Sequence, residues 1–599
     1  MIVIFLTSFW FLTGFLFVRI FNGNMHPTLN AVIAFPAGVS IWSMCFMIIN
    51  VFGEYFSISF NPETFYIIYG LILIILFVFN ILRTSFALQE IWVFFGFLVI
   101  MACSGFLADK LNVIIFGRDI FLSNYLGFEA SPARGLPVFL HAFLDKRILL
   151  GREYWPFVWP TVSVSIALNL LWLILMELRR QGIFGKVSWI IAFITVAVLF
   201  STYLIIVASF YFNHHIIATA IILIFITLLW YYLNYKRDYS TYLAMFMLFI
   251  FTLTRVEGIL VSSIVLGIFL NTSFFNLKTM RRCLLIFVLP AVIWQVYLIF
   301  KFLNENDSFL SATQQFSMLI LVIIYFFVFY ILTFTPKLSV ILNNLNLLVP
   351  AGIIITFVLL SILRPKHMFL STFHVIQNMF SSGYWGFFWW FVLIIGLNLF
   401  IIKINRGDKS QFLDACLLAA VTSFIFILVL GGLRNPYRLQ WGDSANRMLI
   451  HFTPMILFWI GAQLGYYFQF STSVNIAKQD HIYNEKDIFF KGYLKKISNK
   501  LLMCLMFLVG LINELLILTG KLFIIFLILG LVLLTRIQAV TYNDVYNFLK
   551  ITDRLVKQVE VRMEIVPEFK KQQLKEVVNS IQKSILQKSG SPSQQEKNN

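Results

Sequence analysis

The sequence predicts an all-α, polytopic integral-membrane protein, and three observations carry that prediction. Of 599 residues, 60% are hydrophobic and only 12% are charged. The mean hydropathy is +0.87, so the composition excludes a soluble globular protein. Roughly seventeen stretches are apolar over lengths close to the ~20 residues that a membrane helix needs. These runs are continuous rather than alternating, and backbone groups in lipid must be satisfied internally, which selects helices over a barrel.

The predicted spans begin with four runs, at 2–19, 29–52, 65–82 and 91–107. A long polar gap follows, and then runs at 158–178, 187–210, 216–233, 242–254, 259–275, 284–302, 318–334 and 347–363. The last are 384–402, 412–433, 448–470, 501–518 and 522–534. The first run lacks a basic leader and a small-residue cleavage site, so it reads as a span rather than a signal peptide. From Tyr542 onward the chain is polar and helix-prone, ending in a Ser/Gln/Lys/Asn tail with a disordered composition. Four regions follow: an N-terminal transmembrane module (1–89), a core (90–470), a cytoplasmic basic loop with two more spans (471–536), and a cytoplasmic tail (537–599).

Charge sets the expected orientation. Arg179-Arg180 with Lys186, Lys236-Arg237, Lys278 with Arg281-Arg282, and Lys403 with Arg406 and Lys409 occupy every second gap. The positive-inside rule makes those gaps cytoplasmic. The net charge of +18 therefore points to loop bias and not to nucleic acid, because no single basic stripe exists. The other gaps then face outward: 108–157, His214-His215, Arg255 to Gly258, 303–316, 364–383 and 434–447. Those gaps are basic too, and binding an anion is the evident reason. The five cysteines sit in or beside apolar runs without metal-ligand spacing, and read as packing residues.

Candidate chemistry lies in the outward set. Asp119 follows Arg118 beside Ser123-Asn124-Tyr125. A carboxylate there can act as a general base, or it can simply pair with Arg118. Glu129, Asp145 and Glu153 share the same loop, whose apolar piece at 136–144 suits an interfacial helix. Arg255-Val256-Glu257-Gly258 splits an apolar stretch, either as a cavity-facing break or as an ordinary surface turn. Arg434, Arg438 and Arg447 crowd one interface ahead of a span with His451 and Pro454. Guanidinium forks suit phosphate oxygens, with Arg447 the best placed, although Asp443 could neutralise one of the three. His214, His215, His367 and His374 fall on the same side, but no zinc spacing supports a metal. No nucleotide fingerprint is present, so no cofactor is expected.

Together these motifs resemble the GT-C superfamily of membrane glycosyltransferases, in particular its bacterial, family-39-like members, which take sugars from polyprenyl-phosphate carriers. The resemblance covers roughly residues 90–470. Asp119 followed by Gly135-Leu136-Pro137 is similar to the acidic first outward loop. Thr254 to Gly258 resembles the Arg/Lys-x-Glu-Gly end of a short re-entering helix, and Asn446-Arg447 before Pro454 resembles the late arginine. The resemblance implies a GT-C-like helical bundle in the plasma membrane with an outward site. Asp119 would be the catalytic base of an inverting displacement, and Arg447, Arg438 and Arg434 would hold the lipid phosphate. Arg255, Glu257, Glu129 and His214 are secondary candidates. The expected partners are a polyprenyl-phosphate sugar and an envelope acceptor, without metal or nucleic acid. A flippase for lipid-linked sugars, or a polymerase or ligase of lipid-linked glycans, is the alternative. Two departures stand out: three spans precede the span that leads into the Asp119 loop, and the usual soluble C-terminal domain is missing.

Overall fold

The computed structural model describes residues 2–480 apart from 24–25, 57–61, 84–85, 116–156, 211–213, 256, 272, 305–311, 335–340, 343, 407–409, 434–435 and 440–442. The fold is all-α, with no strand among the described residues. Nine described helices are long and apolar enough to cross a membrane, or ten if a bent pair counts as one span. The chain is a multi-pass membrane protein.

The helices are α1 (Ile2–Asn22), α2 (Pro27–Tyr55), α3 (Pro62–Arg83), α4 (Leu88–Ile115), α5 (Val158–Arg180), α6 (Lys186–Phe200), α7 (Tyr203–Phe210) and α8 (His214–Tyr235). Then come α9 (Asp238–Thr252), α10 (Gly258–Phe269), α11 (Leu277–Asn304), α12 (Ala312–Phe334), α13 (Leu345–Leu363) and α14 (Pro365–Gln377). A helix entered at Phe388–Phe391 passes through a π turn at Val392–Gly396 into α15 (Leu397–Arg406). The last are α16 (Gln411–Leu433), the short α17 (Ser444–Met448) and, after a 3₁₀ turn at Leu449–Phe452, α18 (Thr453–Asp480).

One continuous buried cluster runs from Val3 to Ala462. Lipid cannot drive helix association by the hydrophobic effect, so close packing and polar contacts must do it. Gly14 and Gly38 show the packing at work between α1 and α2. A Cβ on Gly14 would lie 1.8 Å from the Ala34 carbonyl oxygen, and one on Gly38 the same distance from that of Trp10. Only hydrogen fits at either crossing point. Trp10, fully buried, stacks on Phe157 at 6.0 Å and so ties α1 to the start of α5.

Polar contacts sort the bundle into two ends. At one end, Arg19 is held by Glu90 at 2.6 Å with both side chains buried. Glu177 there accepts from Arg180 at 2.6 Å and from the Trp230 indole at 2.8 Å, and Ser240 bonds Asn22 at 2.8 Å. Lys403 pairs with Asp414 across α15 and α16. The first, second and last of the charged gaps expected to be cytoplasmic open at this end. At the other end lie the start of α8, the α9–α10 turn, α14 and the loop before α17.

Three elements depart from the sequence expectation. The run at 187–210 was expected to be one span, yet α6 and α7 meet at 72°. Beyond the break, the Leu204 N–H at the start of α7 is satisfied by the Tyr384 carbonyl at 2.9 Å. Second, α9 and α10 have 15 and 12 residues, about 22 and 18 Å at 1.5 Å per residue, short of the ~30 Å hydrocarbon core. They form a hairpin with a buried tip, where Thr252 and Thr254 are fully covered and Arg255 reaches the start of α8. Third, the outward gap at 364–383 contains an amphipathic helix, α14. Phe369, Phe373 and Ile376 are exposed along one side while Met368, Ser371 and Val375 are buried.

Candidate functional site

The buried tip of the α9–α10 hairpin is where the site is built. Gly258 opens α10 with its Cα so close to the end of α9 that a Cβ would lie 2.8 Å from the Phe251 carbonyl oxygen. Its role is close approach, since its φ is not positive. That tight turn holds Arg255 and Glu257 two residues apart, and Arg255 Nε donates to Glu257 Oε2 at 3.2 Å. Their side chains are 16% and 9% exposed.

The second residue of α8, His215, sits above them. Arg255 Nη1 lies 3.3 Å from His215 Nε2, and His215 Nδ1 lies 2.9 Å from His451 Nε2. A guanidinium only donates, so this order fixes the tautomers: His215 accepts at Nε2 and donates from Nδ1. His451 then accepts at Nε2 and carries its own proton on Nδ1. Both rings are buried, and Phe251 closes edge-on against His451 at 5.6 Å. Glu257, Arg255, His215 and His451 thus form one continuous polar chain drawn from three separate elements.

His451 belongs to the 3₁₀ turn that joins α17 to α18, four residues after Arg447. Asp443 caps α17. Its carboxylate accepts from the Ala445 N–H at 3.0 Å and from the Arg438 N–H at 3.1 Å. Burial pushes the Asp443 carboxyl above its ordinary value, while those backbone donors and the Arg447 charge pull the other way.

The neighbouring Asn446 is fully buried. It donates to the Gly383 carbonyl at 2.9 Å and accepts from the Trp385 indole. Asn378 donates to the Arg438 carbonyl at 2.8 Å, and His374 Nδ1 donates to that of Tyr437. The arginine-bearing loop is therefore pinned along its length to α14 and the turns that follow it.

Of the residues singled out in the sequence, Arg255 and Glu257 meet here, and Arg447 lies four residues before His451. Arg438 is near in sequence but its side chain is exposed, its backbone alone being tied down. Asp119, Glu129 and Arg434 lie outside the described residues, as does the side chain of His214. The histidine that enters the site is His215. Sequence reasoning noted His215 and His451 separately and did not pair them. The available signal was that each is a lone imidazole at the edge of a long apolar run. No cluster of metal-ligating side chains occurs among the described residues.

Fold and site define a class, a multi-pass α-helical membrane protein with an arginine-rich polar centre at one end of its bundle. Family models, curated proteins and solved structures were all compared with the chain, and none matches.

Proposed function

We propose that the protein is a GT-C-type membrane glycosyltransferase that moves a sugar from a polyprenyl-phosphate carrier to an envelope acceptor. One observation supports the reading: the Arg255–Glu257 tip and His451, far apart in the sequence, meet through His215, and Arg447 lies four residues before His451. In this reading two arginines at one end of the bundle meet the phosphate of a lipid carrier. Guanidinium forks match phosphate oxygens and stay charged where a lysine would lose its proton.

In this reading Arg447 and Arg255 hold the donor phosphate, and Arg438 supplies charge at the entrance. As the bond from sugar to phosphate oxygen breaks, negative charge grows on the leaving group. Arginines accelerate that step only insofar as they bind the transition state more tightly than the donor. Asp119 takes the proton of the acceptor hydroxyl, and a single displacement inverts the anomeric centre. Arg179, Arg180, Lys186 and Arg237 gather at the opposite end, and the positive-inside bias turns the site outward.

The test is transfer of radiolabelled sugar from a panel of polyprenyl-phosphate donors to envelope acceptors by the detergent-purified protein. Asp119→Asn is expected to abolish transfer while donor binding persists, and Arg447→Ala to weaken donor binding. Undiminished transfer by Asp119→Asn removes that residue from the mechanism. Tight donor binding without transfer or hydrolysis from any donor would instead favour the flippase.

A further inference from the structure

The side of α14 turned away from the bundle is apolar, with Phe369, Phe373 and Ile376 exposed along it. We propose that this side docks on the membrane itself, seated at the boundary between headgroups and acyl chains in the leaflet at the arginine-bearing end of the bundle.

Position is the first argument. The helix before it, α13, is apolar and long enough to cross a membrane. Its 19 residues extend about 28 Å, nearly the whole of the ~30 Å hydrocarbon core. That helix ends at Arg364, and α14 opens with Pro365, where hydrocarbon gives way to headgroups. Arg364 Nη1 donates to the Leu433 carbonyl at 3.1 Å, and Leu433 is the last residue of α16, a second helix of spanning length. Two span ends therefore meet at the start of α14.

Packing is the second argument, because it fixes which side is left uncovered. Met368 is buried with Leu360 of α13 and Val429 of α16. Glycines at the end of α16 permit the approach: a Cβ on Gly431 would lie 2.8 Å from Ser371 Oγ, and one on Gly432 would collide with Met368 Sδ. Further along, His374 and Asn378 bond the carbonyls of Tyr437 and Arg438. One side of α14 is thus laid on the end of α16 and on the loop that leaves it. The opposite side carries the phenylalanines.

The chemistry of that side selects lipid as the occupant. Phe369, Phe373 and Ile376 recur at the i, i+4, i+7 spacing of one helical stripe, and the first two rings stack at 6.0 Å. The last turns of α13 expose Leu359, Ile362 and Leu363, so the stripe takes up where a lipid-facing surface ends. Lys366 is exposed and lies seven residues before Phe373, on the same side. Its alkyl stem suits the apolar stripe and its ammonium the lipid phosphates. The Phe380 ring lies 4.9 Å from that of Trp390, an exposed indole near the start of the helix that follows. Indoles favour this level of a bilayer.

The experiment places the photo-crosslinker p-benzoylphenylalanine at Phe369, Phe373 or Ile376 of the full-length protein, in nanodiscs of mixed phosphatidylcholine and phosphatidylglycerol. The same group at Val99, exposed midway along the spanning part of α4, marks the acyl interior. After irradiation, mass spectrometry reports protein–lipid adducts and the point of attachment along the acyl chain. All three α14 positions are expected to give lipid adducts, attached nearer the glycerol than those from Val99. Each position is exposed, and a Tm equal to that of wild type shows that each variant folds. Lipid adducts from Val99 with none from α14 overturn the proposal, since the helix then stands in water. Cross-linked dimers in place of lipid adducts overturn it in favour of a second copy of the chain. Adducts as deep as those from Val99 overturn the interfacial level. No readout requires sugar transfer, so the result stands apart from the transferase reading.

Discussion

Replacing Arg255 by Gln tests the polar chain at the point where it carries both stability and the proposed donor contact. Arg255 bonds Glu257 at 3.2 Å and lies 3.3 Å from His215. The Glu257 side chain is only 9% exposed. Breaking a buried pair from one side costs ~3–5 kcal/mol, mainly because the surviving charge loses its partner. At 16% exposure Arg255 keeps some contact with solvent, which places the expected cost at the lower limit, about 3 kcal/mol. Adding Glu257→Gln removes the stranded carboxylate, so the double variant should recover about 1–2 kcal/mol and melt above Arg255→Gln alone. Unfolding followed by tryptophan fluorescence in one detergent gives the three comparisons.

The same variant reads out the donor contact. A hydrogen bond to a charged group is worth about 1.5–3 kcal/mol, which corresponds to a roughly 10- to 150-fold weaker binding of a polyprenyl-phosphate sugar. Arg255→Lys should restore part of the stability but little of the binding, because an ammonium cannot reproduce the planar fork. Strictly additive costs for Arg255→Gln and Glu257→Gln would show that the pair is not energetically coupled. Donor binding by Arg255→Gln within about twofold of wild type would remove Arg255 from the phosphate site.

Three further outcomes follow from the geometry. Gly14→Val should prevent α1 and α2 from docking, since its first added carbon would lie 1.8 Å from the Ala34 carbonyl oxygen. The loss exceeds the ~1–3 kcal/mol of ordinary overpacking, and a monodisperse, stably folded variant would count against this helix crossing. Glu90→Leu should cost about 3–5 kcal/mol by leaving Arg19 buried without its carboxylate, whereas a Tm equal to wild type would refute that balance. Asp443, with its carboxyl raised by burial, adds stability that is complete below the ordinary aspartate value of about 4 and fades as pH rises through the higher folded value. Wild type should therefore gain on Asp443→Asn as the pH falls from neutral toward 4, and a gain in the opposite direction would refute the assignment.

Helix existence was largely legible from the sequence, because an unbroken apolar run near 20 residues has few other structures open to it in lipid. Helix integrity was less so. The break between α6 and α7 falls within a run that is apolar on both sides, and the acceptor for the first turn of α7, the Tyr384 carbonyl, is far away in the chain. The hairpin of α9 and α10 was visible as a charged interruption, but its depth was not. The shortness of α10, 12 residues, was hidden by a count of apolar residues that ran on to 275. The amphipathic α14 could have been read from Phe369, Phe373 and Ile376 at helical spacing. The pairing of His215 with His451 could not, because nothing local distinguishes a histidine that meets its partner from one that anchors at an interface.

The two ends of the bundle dispose of buried charge differently, and the difference bears on which ligand the site selects. At the end with the lysine and arginine gaps, the deeply buried carboxylates Glu90 and Glu177 each hold a guanidinium partner at 2.6 Å. Those pairs are balanced, and balance is what a structural role requires of charge removed from water. At the opposite end the described side chains include Arg255, Arg364, Lys366, Arg438 and Arg447 against Asp109, Glu257 and Asp443. Asp443 is spent partly on capping α17 through the Ala445 N–H. A cation excess at the edge of a bilayer is costly unless an anion completes it. That argument favours an anion before it favours any reaction, and it applies equally to an enzyme and to a carrier. What separates the two is a proton acceptor for the incoming hydroxyl. The decisive pairing is therefore Arg447 with Asp119: loss of donor binding on changing the first, and loss of transfer with binding intact on changing the second.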